Sequence, residues 1–262
     1  MRHPLLRPLG AVRWARRSGT DVGSAPGNGA RCCGISAGLW TAVDDWRMDD
    51  PFERRPLAAL LDDAAAGRFP PADGGVTILA PPSARDAGVI GFTAHAVIFI
   101  DADPGWVAAQ LPAGDLSGPL APAFLQALCA RTNRQAHSID MLCTAAPLPG
   151  PPAIVLTPEP GLAHPRVARA LRYRDDVRAW RAEGGVVLVG RGVAGRWEAA
   201  IEVDPGRRCR GLGRALATAA RHLVPGGTPL WAQVAPANAA SVRAFLAAGF
   251  KPVGAEAHLT PG

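Results

Sequence analysis

The sequence predicts an α/β (α+β) protein built from two domains. Strand-like apolar runs alternate with segments whose apolar residues recur at helical spacing, from residue 51 to the end of the chain. With 262 residues, 48% of them hydrophobic, the chain can bury one large core or two small ones. The proline-rich segment 147–152 offers few hydrogen-bond donors and is typical of a stiff linker, so we place the domain boundary there.

The predicted first domain, residues 48–146, is an α/β unit to which the sequence assigns no role. It opens with a helix, because Leu57, Leu60, Leu61 and Ala64 share one helical face. Apolar runs and periodicity then predict strands over 75–80, 87–100 and 138–144, and helices over 104–111 and 122–131.

The predicted second domain, residues 153–262, alternates strands with three helices. The first helix is expected to bury Val167, Ala170 and Leu171, and the second repeats leucine or alanine at helical spacing from Leu212. The third helix begins after Asn238. Strands are predicted over 153–157, 177–182, 185–190, 196–203, 228–235 and 251–259.

The segment 1–47 shows neither helical nor strand periodicity. It holds seven arginines against three aspartates, so +4 of the formal charge of +6 lies there. It also lacks the uninterrupted apolar stretch of a secretory signal. We expect either a disordered leader or a protein whose translation starts at Met48.

Composition disfavours several classes of protein. Of the 28 lysines and arginines only Lys251 is lysine, a bias typical of GC-rich coding, so we expect no nucleic-acid partner. No apolar run approaches membrane-spanning length, so we expect no membrane partner. The five cysteines have no zinc-ligand spacing and indicate neither a disulfide framework nor a metal site. A cytoplasmic location follows as the expectation, and both a monomer and a homodimer agree with the sequence.

One strand-to-helix junction is a candidate anion site. A strand ending at Val203 is followed by a Pro-Gly turn and by Arg208-x-x-Gly211-x-Gly213. Such a junction leaves backbone N–H groups unpaired at a helix N-terminus, where a phosphate is favoured. In a chain of this composition the pattern arises by chance about 0.3 times, so it needs support from elsewhere.

A second pattern lies downstream, Asn238-x-x-Ser241-x-x-x-Phe245-x-x-x-Gly249-Phe250, across a strand-like run. Together the two patterns resemble the GCN5-related N-acetyltransferase (GNAT) superfamily, over roughly residues 153 to 258 and most strongly from 194 to 254. The resemblance implies a mixed, mostly antiparallel sheet flanked by helices, whose fourth and fifth strands splay apart to admit acetyl-coenzyme A. Residues 153–262 are short by about one strand, so the first domain either completes the sheet or is a degenerate GNAT-like half.

The resemblance also implies the residues that hold the cofactor. The pyrophosphate would contact the loop, and the backbone of two strand residues would pair with the pantetheine arm. The start of the third helix would reach the pantetheine and sulfur region, where Asn238 alternatively serves only as the helix cap. The implied set is Ile201, Val203, Arg208, Cys209, Arg210, Gly211, Leu212, Gly213, Arg214, Asn238, Ser241 and Phe245.

The catalytic groups are less well determined. Glu198 and Glu202 are the candidate bases, since both lie on the strand that leads into the loop. In a regular strand they point away from the face of Val203, so they are either solvent-facing or brought into the cleft by a bulge. Family members often have tyrosine where this chain has Phe245, which has no proton to donate.

The sequence therefore supports two functions. The first is an N-acetyltransferase that moves an acetyl group from acetyl-CoA to an amine of a small molecule or protein. The second is a non-catalytic acyl-CoA-binding or sensing module with a degenerate site, which Phe245 favours. A dinucleotide-binding domain fits less well, because the loop lacks the third glycine and the acidic residue that follows it.

Overall fold

A computed structural model describes residues 56–112 and 114–262. The expectations for the segment 1–47 and for a start at Met48 lie outside the described residues. Six α-helices form in this part of the chain. They are α1 (Leu57–Ala65), α2 (Pro104–Ala109), α3 (Pro122–Thr132), α4 (Pro165–Tyr173), α5 (Leu212–Ala220) and α6 (Ala239–Ala247).

Ten strands of the described residues form one mixed sheet. They are β1 (Val76–Leu79), β2 (Ala87–Phe92), β3 (His95–Phe99), β4 (Arg134–Ala145), β5 (Thr157–Pro158), β6 (Asp175–Ala182), β7 (Gly185–Arg191), β8 (Trp197–Val203), β9 (Leu230–Val234) and β10 (Lys251–Pro261). Their spatial order is β1-β3-β2-β10-β4-β9-β8-β7-β6-β5. Because β1–β3 and β8–β9 pair in parallel and the other pairs are antiparallel, the predicted fold class is confirmed.

Strand β4 lies between β9 and β10, so the first half of the chain contributes a strand to the middle of the second half's sheet. It pairs with β10 from Lys251↔Thr144 to Pro261↔Arg134 and with β9 over five residues. The strand that residues 153–262 lack is thus supplied by the first half. The domain boundary at 147–152 remains a prediction, and strands from both sides of it share one sheet.

Helices cover both faces of the sheet. Helix α1 packs its leucines on Ile90, Val97 and Leu142, while α4 packs on Leu188. Helices α5 and α6 cover the opposite face, where Trp197, Ala199 and Cys143 are buried. Helices α2 and α3 pack on that same opposite face, against Ile98 and Ala257 among others. Since strand side chains alternate, each strand has one face on the side of α1 and α4 and one on the side of α2, α3, α5 and α6.

Two local predictions differ from the structure. A strand is predicted over 153–157, but in the structure only Thr157 and Pro158 form a strand, β5. They pair with Arg181 and Trp180 of β6. In α4, Val167 and Ala170 are buried as expected, but Leu171 is 63% exposed. The buried face of α4 is narrow, since it meets the sheet mainly through Leu188 and leaves Leu171 at its side.

Strands β8 and β9 splay apart. They pair at only two positions, Trp197↔Leu230 and Glu198↔Trp231, although both strands continue beyond them. Over the same stretch β8 pairs with β7 at all seven of its residues. A gap therefore opens between β8 and β9 from Ala199 onward, as the resemblance implied.

The carboxylate of Asp86 stabilises the fold in a pH-dependent way. It is 2% exposed and sits beside Arg85, Ser83 and His258. Burial raises its pKa, but these three neighbours outweigh burial and lower the pKa from 3.8 to about 2. The stability that Asp86 contributes is therefore complete above its ordinary pKa and is lost as pH falls through about 2, amounting to about 2 kcal/mol.

We expect Asp86→Asn to lower the free energy of unfolding at pH 6 by about 2 kcal/mol, and the difference from the parent to shrink as pH approaches 2. Denaturant titrations at several pH values measure both quantities. The exposed Asp62→Asn is the matched control and should stay within about 0.5 kcal/mol of the parent. A difference between Asp86→Asn and the parent that does not change with pH contradicts this role.

Candidate active site

The loop before α5 has the geometry of an anion cradle. After a short turn at Pro205–Arg207, Cys209 and Gly211 both take positive φ, 60° and 83°, and α5 begins at Leu212. The backbone N–H groups of 208–214 have no hydrogen-bond acceptor among the described residues. A helix N-terminus adds a partial positive charge at this point, so the loop favours an anionic ligand.

Three arginines add charge to this loop. Arg208, Arg210 and Arg214 are exposed, and no carboxylate of the described residues pairs with them. Arg208 Nε donates instead to the carbonyl of Val203 at 3.3 Å, which holds its guanidinium beside the end of β8. By contrast Arg207, one residue earlier, is paired with Glu183. The free cations therefore cluster where the unpaired N–H groups lie.

The two loop glycines differ in how strongly the backbone requires them. Gly211 has a φ of 83°, a conformation that strains any residue with a Cβ, while the space around it is open. A Cβ at Gly213 would lie 3.4 Å from the Cβ of Ala244, an ordinary van der Waals contact, so the packing of α5 on α6 would accommodate alanine here.

The free edge of β8 carries the backbone groups predicted to bind pantetheine. Asp204 N donates to Gly184 O, which directs the backbone of Asp204 toward β7. Backbone directions alternate along a strand, so Ile201 and Val203 direct their N–H and C=O groups to the other edge, into the gap beside β9. An extended ligand could add to this edge as a further strand.

A cavity of about 510 Å³ passes through the gap. Its lining includes Glu198, Ala200 and Glu202 from the α4 face of β8, and Ala199 and Ile201 from the opposite face. Residues of α4, β4, β9, β10 and α6 complete the wall. Because residues of α4 and of α6, which lie on opposite faces of the sheet, line one space, the cavity connects the α4 side of the sheet to the α6 side.

The start of α6 borders this cavity. Asn238 is the N-cap, and its Oδ1 accepts a hydrogen bond from Ser241 N at 3.1 Å, so the capping interpretation describes its contact in the structure. Asn238, Ser241 and Phe245 all line the cavity. Phe245 is 4% exposed and packs edge-on against Phe250.

Tyr173 lines the same cavity, from the end of α4. Phe245 has no hydroxyl group, and Tyr173, the one tyrosine of the chain, places a phenol hydroxyl at this cavity instead. Its ring lies edge-on to His258, and Arg169 stacks over it at 5.5 Å. Its position on another helix carries no sequence signal, because only the packing of α4 against the sheet brings it there.

Glu198 does not fit the role of a general base. Its side chain is 3% exposed, Arg174 Nε donates to Oε2 at 2.7 Å, and Arg196 Nε donates to Oε1 at 2.8 Å. Burial raises the pKa of Glu198, but the charges and hydrogen bonds of Arg196 and Arg174 outweigh burial and hold it below the ordinary value. A carboxylate stabilised in this way is a weak proton acceptor.

No bulge brings Glu198 into the cavity. The register of β8 on β7 is continuous from Trp197 to Val203. The glutamates face the cavity because α4 leaves space over that face of the sheet, which the sequence could not reveal. Glu202 lines the cavity too, is partly exposed, and accepts from Arg166 Nε at 3.1 Å.

Arg196 extends the ion-pair network across the sheet. Its Nη2 donates to Glu256 Oε2 at 2.6 Å, and Gln233 Nε2 donates to the same oxygen at 2.9 Å. The side chains of Arg196 and Glu256 are 4% and 1% exposed. The guanidinium of Arg196 also stacks on the ring of Trp231, 5.3 Å from its centroid, so Trp231 packs against this ion-pair network.

A second cavity, of about 540 Å³, flanks the start of α5. Arg210, Leu212 and Arg214 line it together with Ala153 and Ile154. It adjoins the unpaired N–H groups of the loop. The cavity therefore places apolar surface and the cations of Arg210 and Arg214 beside those N–H groups.

Within residues 56–112 and 114–262 no group of three or more metal-ligating side chains forms a metal site. No helix in this part of the chain has the length and apolar character needed to span a membrane.

The chain is similar to several solved structures. A GCN5-related N-acetyltransferase from Kribbella flavida is 20% identical over 53% of this chain and 64% of its own, with a TM-score of 0.36. One from Sphaerobacter thermophilus is 14% identical over 53% and 57%, with a TM-score of 0.33. A tandem GNAT protein from the clavulanic acid biosynthesis pathway is 15% identical over 66% and 63%, with a TM-score of 0.35.

The chain thus covers less than two thirds of the length of each of these three proteins. No curated protein matches it significantly. Residues 167–250, which run from within α4 to just beyond α6, match the acetyltransferase (GNAT) family. The chain therefore carries a GNAT acetyltransferase domain at residues 167–250.

Proposed function

We propose that this protein is an N-acetyltransferase that moves the acetyl group of acetyl-CoA to an amine of a small molecule or protein. The gap between β8 and β9 is the observation that carries the proposal. One end of the gap meets the unpaired N–H groups before α5, and its other side opens into the cavity under α4. Donor and acceptor can thus approach the same point from opposite faces of the sheet.

The donor is held by the loop and by the edge of β8. The N–H groups of 208–214 receive the pyrophosphate, and Arg208 or Arg214 adds charge-assisted contacts to the phosphates. The pantetheine arm pairs with the backbone of Ile201 and Val203. The second cavity, with Arg210 at its rim, is of a size and composition that suit the adenosine end.

The reaction is a direct attack of an uncharged amine on the thioester carbonyl. A base takes a proton from the ammonium, and the departing thiolate takes up a proton. Backbone N–H groups at the open edge of β8 stabilise the negative charge that develops on the carbonyl oxygen. Glu202 and Tyr173 line the cavity as a candidate base and a candidate acid.

A sensor that binds acyl-CoA without turnover is the second candidate. Phe245 at the usual tyrosine position and the doubly paired Glu198 favour it.

Thiol release separates the two functions. With the full chain, acetyl-CoA and a fixed set of amines (spermidine, tyramine and a lysine-containing peptide), we expect amine-dependent release of the CoA thiol and a matching acetylated product by mass spectrometry. The rate should rise with amine concentration and saturate. Binding of acetyl-CoA without thiol release for any of these amines contradicts the transferase and supports the sensor.

A further inference from the structure

Four carboxylates line the cavity, and Asp140 differs from the other three in its partners. Asp140 Oδ1 accepts a hydrogen bond from Ser138 Oγ at 2.9 Å, and no cation of the described residues forms an ion pair with it. The other three carboxylates each bind an arginine: Glu198 binds Arg174 and Arg196, Glu202 binds Arg166, and Glu256 binds Arg196.

The carboxylate of Glu256, which lies beside Asp140, adds negative charge at this end of the cavity. Asp140 on β4 is paired with Glu256 on β10, so the two carboxylates share one face of the sheet. Arg196 and Gln233 both donate to Glu256 Oε2. Glu256 Oε1 is buried and has no hydrogen-bond partner among the described residues. This end of the cavity therefore has a carboxylate that forms no ion pair with a described residue and a buried acceptor without a donor among the described residues.

We propose that Asp140 binds the ammonium group of the acceptor amine and takes its proton. The proposal rests on the proposed acetyltransferase function and assigns its acceptor class, a cationic amine. An ammonium donates short, charge-assisted hydrogen bonds to a carboxylate, and its positive charge offsets the repulsion between Asp140 and Glu256.

The proton transfers balance through the reaction. One N–H bond of the ammonium breaks and one O–H bond forms on Asp140, which frees the nitrogen lone pair. The lone pair forms the C–N bond to the acetyl carbonyl, and the C–S electron pair leaves with the thiolate. A second nitrogen proton goes to that thiolate, and the third stays on the amide nitrogen.

The surroundings of Asp140 suit a proton acceptor. Burial and the negative charge of Glu256 raise the pKa of Asp140, whereas the Ser138 hydrogen bond and the positive charge of Arg169 lower it. The raising effects are larger, so the pKa of Asp140 lies above its ordinary value. A raised pKa brings a carboxylate closer to the pH at which an enzyme works.

The other titratable or charged groups around the cavity are His137 on β4, Arg166 and Tyr173 on α4, Arg174, Glu198 and Glu202 on the β8 side, and His258 on β10.

The pH dependence of kcat tests the proposal. With the full chain, saturating acetyl-CoA and spermidine, tyramine or a lysine-containing peptide, kcat should fall at low pH as Asp140 becomes protonated. We expect Asp140→Asn to lower kcat by about 10²-fold and to remove this acidic limb, while acetyl-CoA binding is unchanged. Ser138→Ala removes a bond that lowers the pKa of Asp140, so the acidic limb should move to higher pH.

Two comparison variants make the test specific. Asp62→Asn, an exposed aspartate on α1, is the matched control and should leave the kcat profile unchanged. Glu202→Gln tests the competing base. The proposal is overturned if Asp140→Asn keeps the parent kcat and acidic limb, if the limb disappears in Glu202→Gln instead, or if Ser138→Ala does not move it. A parent protein that binds acetyl-CoA but acetylates none of the amines overturns the transferase function itself.

Discussion

Gly211→Glu is expected to weaken acetyl-CoA binding at least about 100-fold, measured by calorimetry on the full chain. The residue is the N-cap of α5 and lies among the unpaired N–H groups of 208–214, and a carboxylate there would repel the pyrophosphate. The positive φ of 83° adds a second effect, because a residue with a Cβ strains that conformation by about 1–2 kcal/mol. The loop would shift and its N–H groups would diverge.

Gly67→Glu is the matched control for this variant. Gly67 follows α1, has a φ of 82°, and like Gly211 has open space where a Cβ would stand. The change adds the same charge and the same backbone strain at a position away from the loop. Acetyl-CoA affinity equal to the parent in Gly67→Glu, with loss in Gly211→Glu, assigns the effect to the loop. Unchanged affinity in Gly211→Glu removes the loop from the site.

Arg196→Met is expected to lower the free energy of unfolding by about 3–5 kcal/mol. Arg196 is the cation between Glu198 and Glu256, both of which are buried, and it also stacks on Trp231. Methionine keeps the apolar contact but leaves Glu256 without an ionic partner. Such a carboxylate must stay charged in an apolar setting or take up a proton, and either outcome destabilises the folded state.

The control is Arg191→Met. Arg191 also stacks on a tryptophan, Trp197 at 4.6 Å, and pairs with Asp176 at 3.5 Å, but its side chain is 44% exposed. An exposed pair contributes about 0–1 kcal/mol, so this variant should unfold at nearly the parent denaturant concentration. Equal loss in both variants would mean that the tryptophan contact, and not the buried ion pairs, accounts for the role of Arg196.

The sequence predicted the parts of the site that are encoded locally. The loop and the start of α6 were identified from residues close together in the chain, since glycine spacing and a capping asparagine act over a few residues. The predicted strands and helices of residues 157–261 mostly appear within a few residues of their predicted bounds. The splay of β8 and β9 followed from the resemblance and not from any local pattern.

The parts that were missed depend on contacts between distant residues. The insertion of β4 between β9 and β10 joins segments about 90 to 120 residues apart, and a strand carries no local mark of its distant neighbours. For the same reason the sequence does not show that Glu198 is doubly paired, because Arg174, one of its two cationic partners, lies 24 positions away and reaches it only through the packing of α4. Asp140 is not a candidate in the sequence, because its proposed role depends on facing Glu256 on the neighbouring strand β10.

The central claim is that the gap between β8 and β9 binds acetyl-CoA with its phosphates on the loop before α5. Calorimetric titration of acetyl-CoA into the full chain, beside Gly211→Glu and Gly67→Glu, tests it most directly. We predict saturable binding of one acetyl-CoA per chain that is lost in Gly211→Glu and retained in Gly67→Glu. Absence of saturable binding to the parent, or equal binding to all three proteins, would contradict the claim.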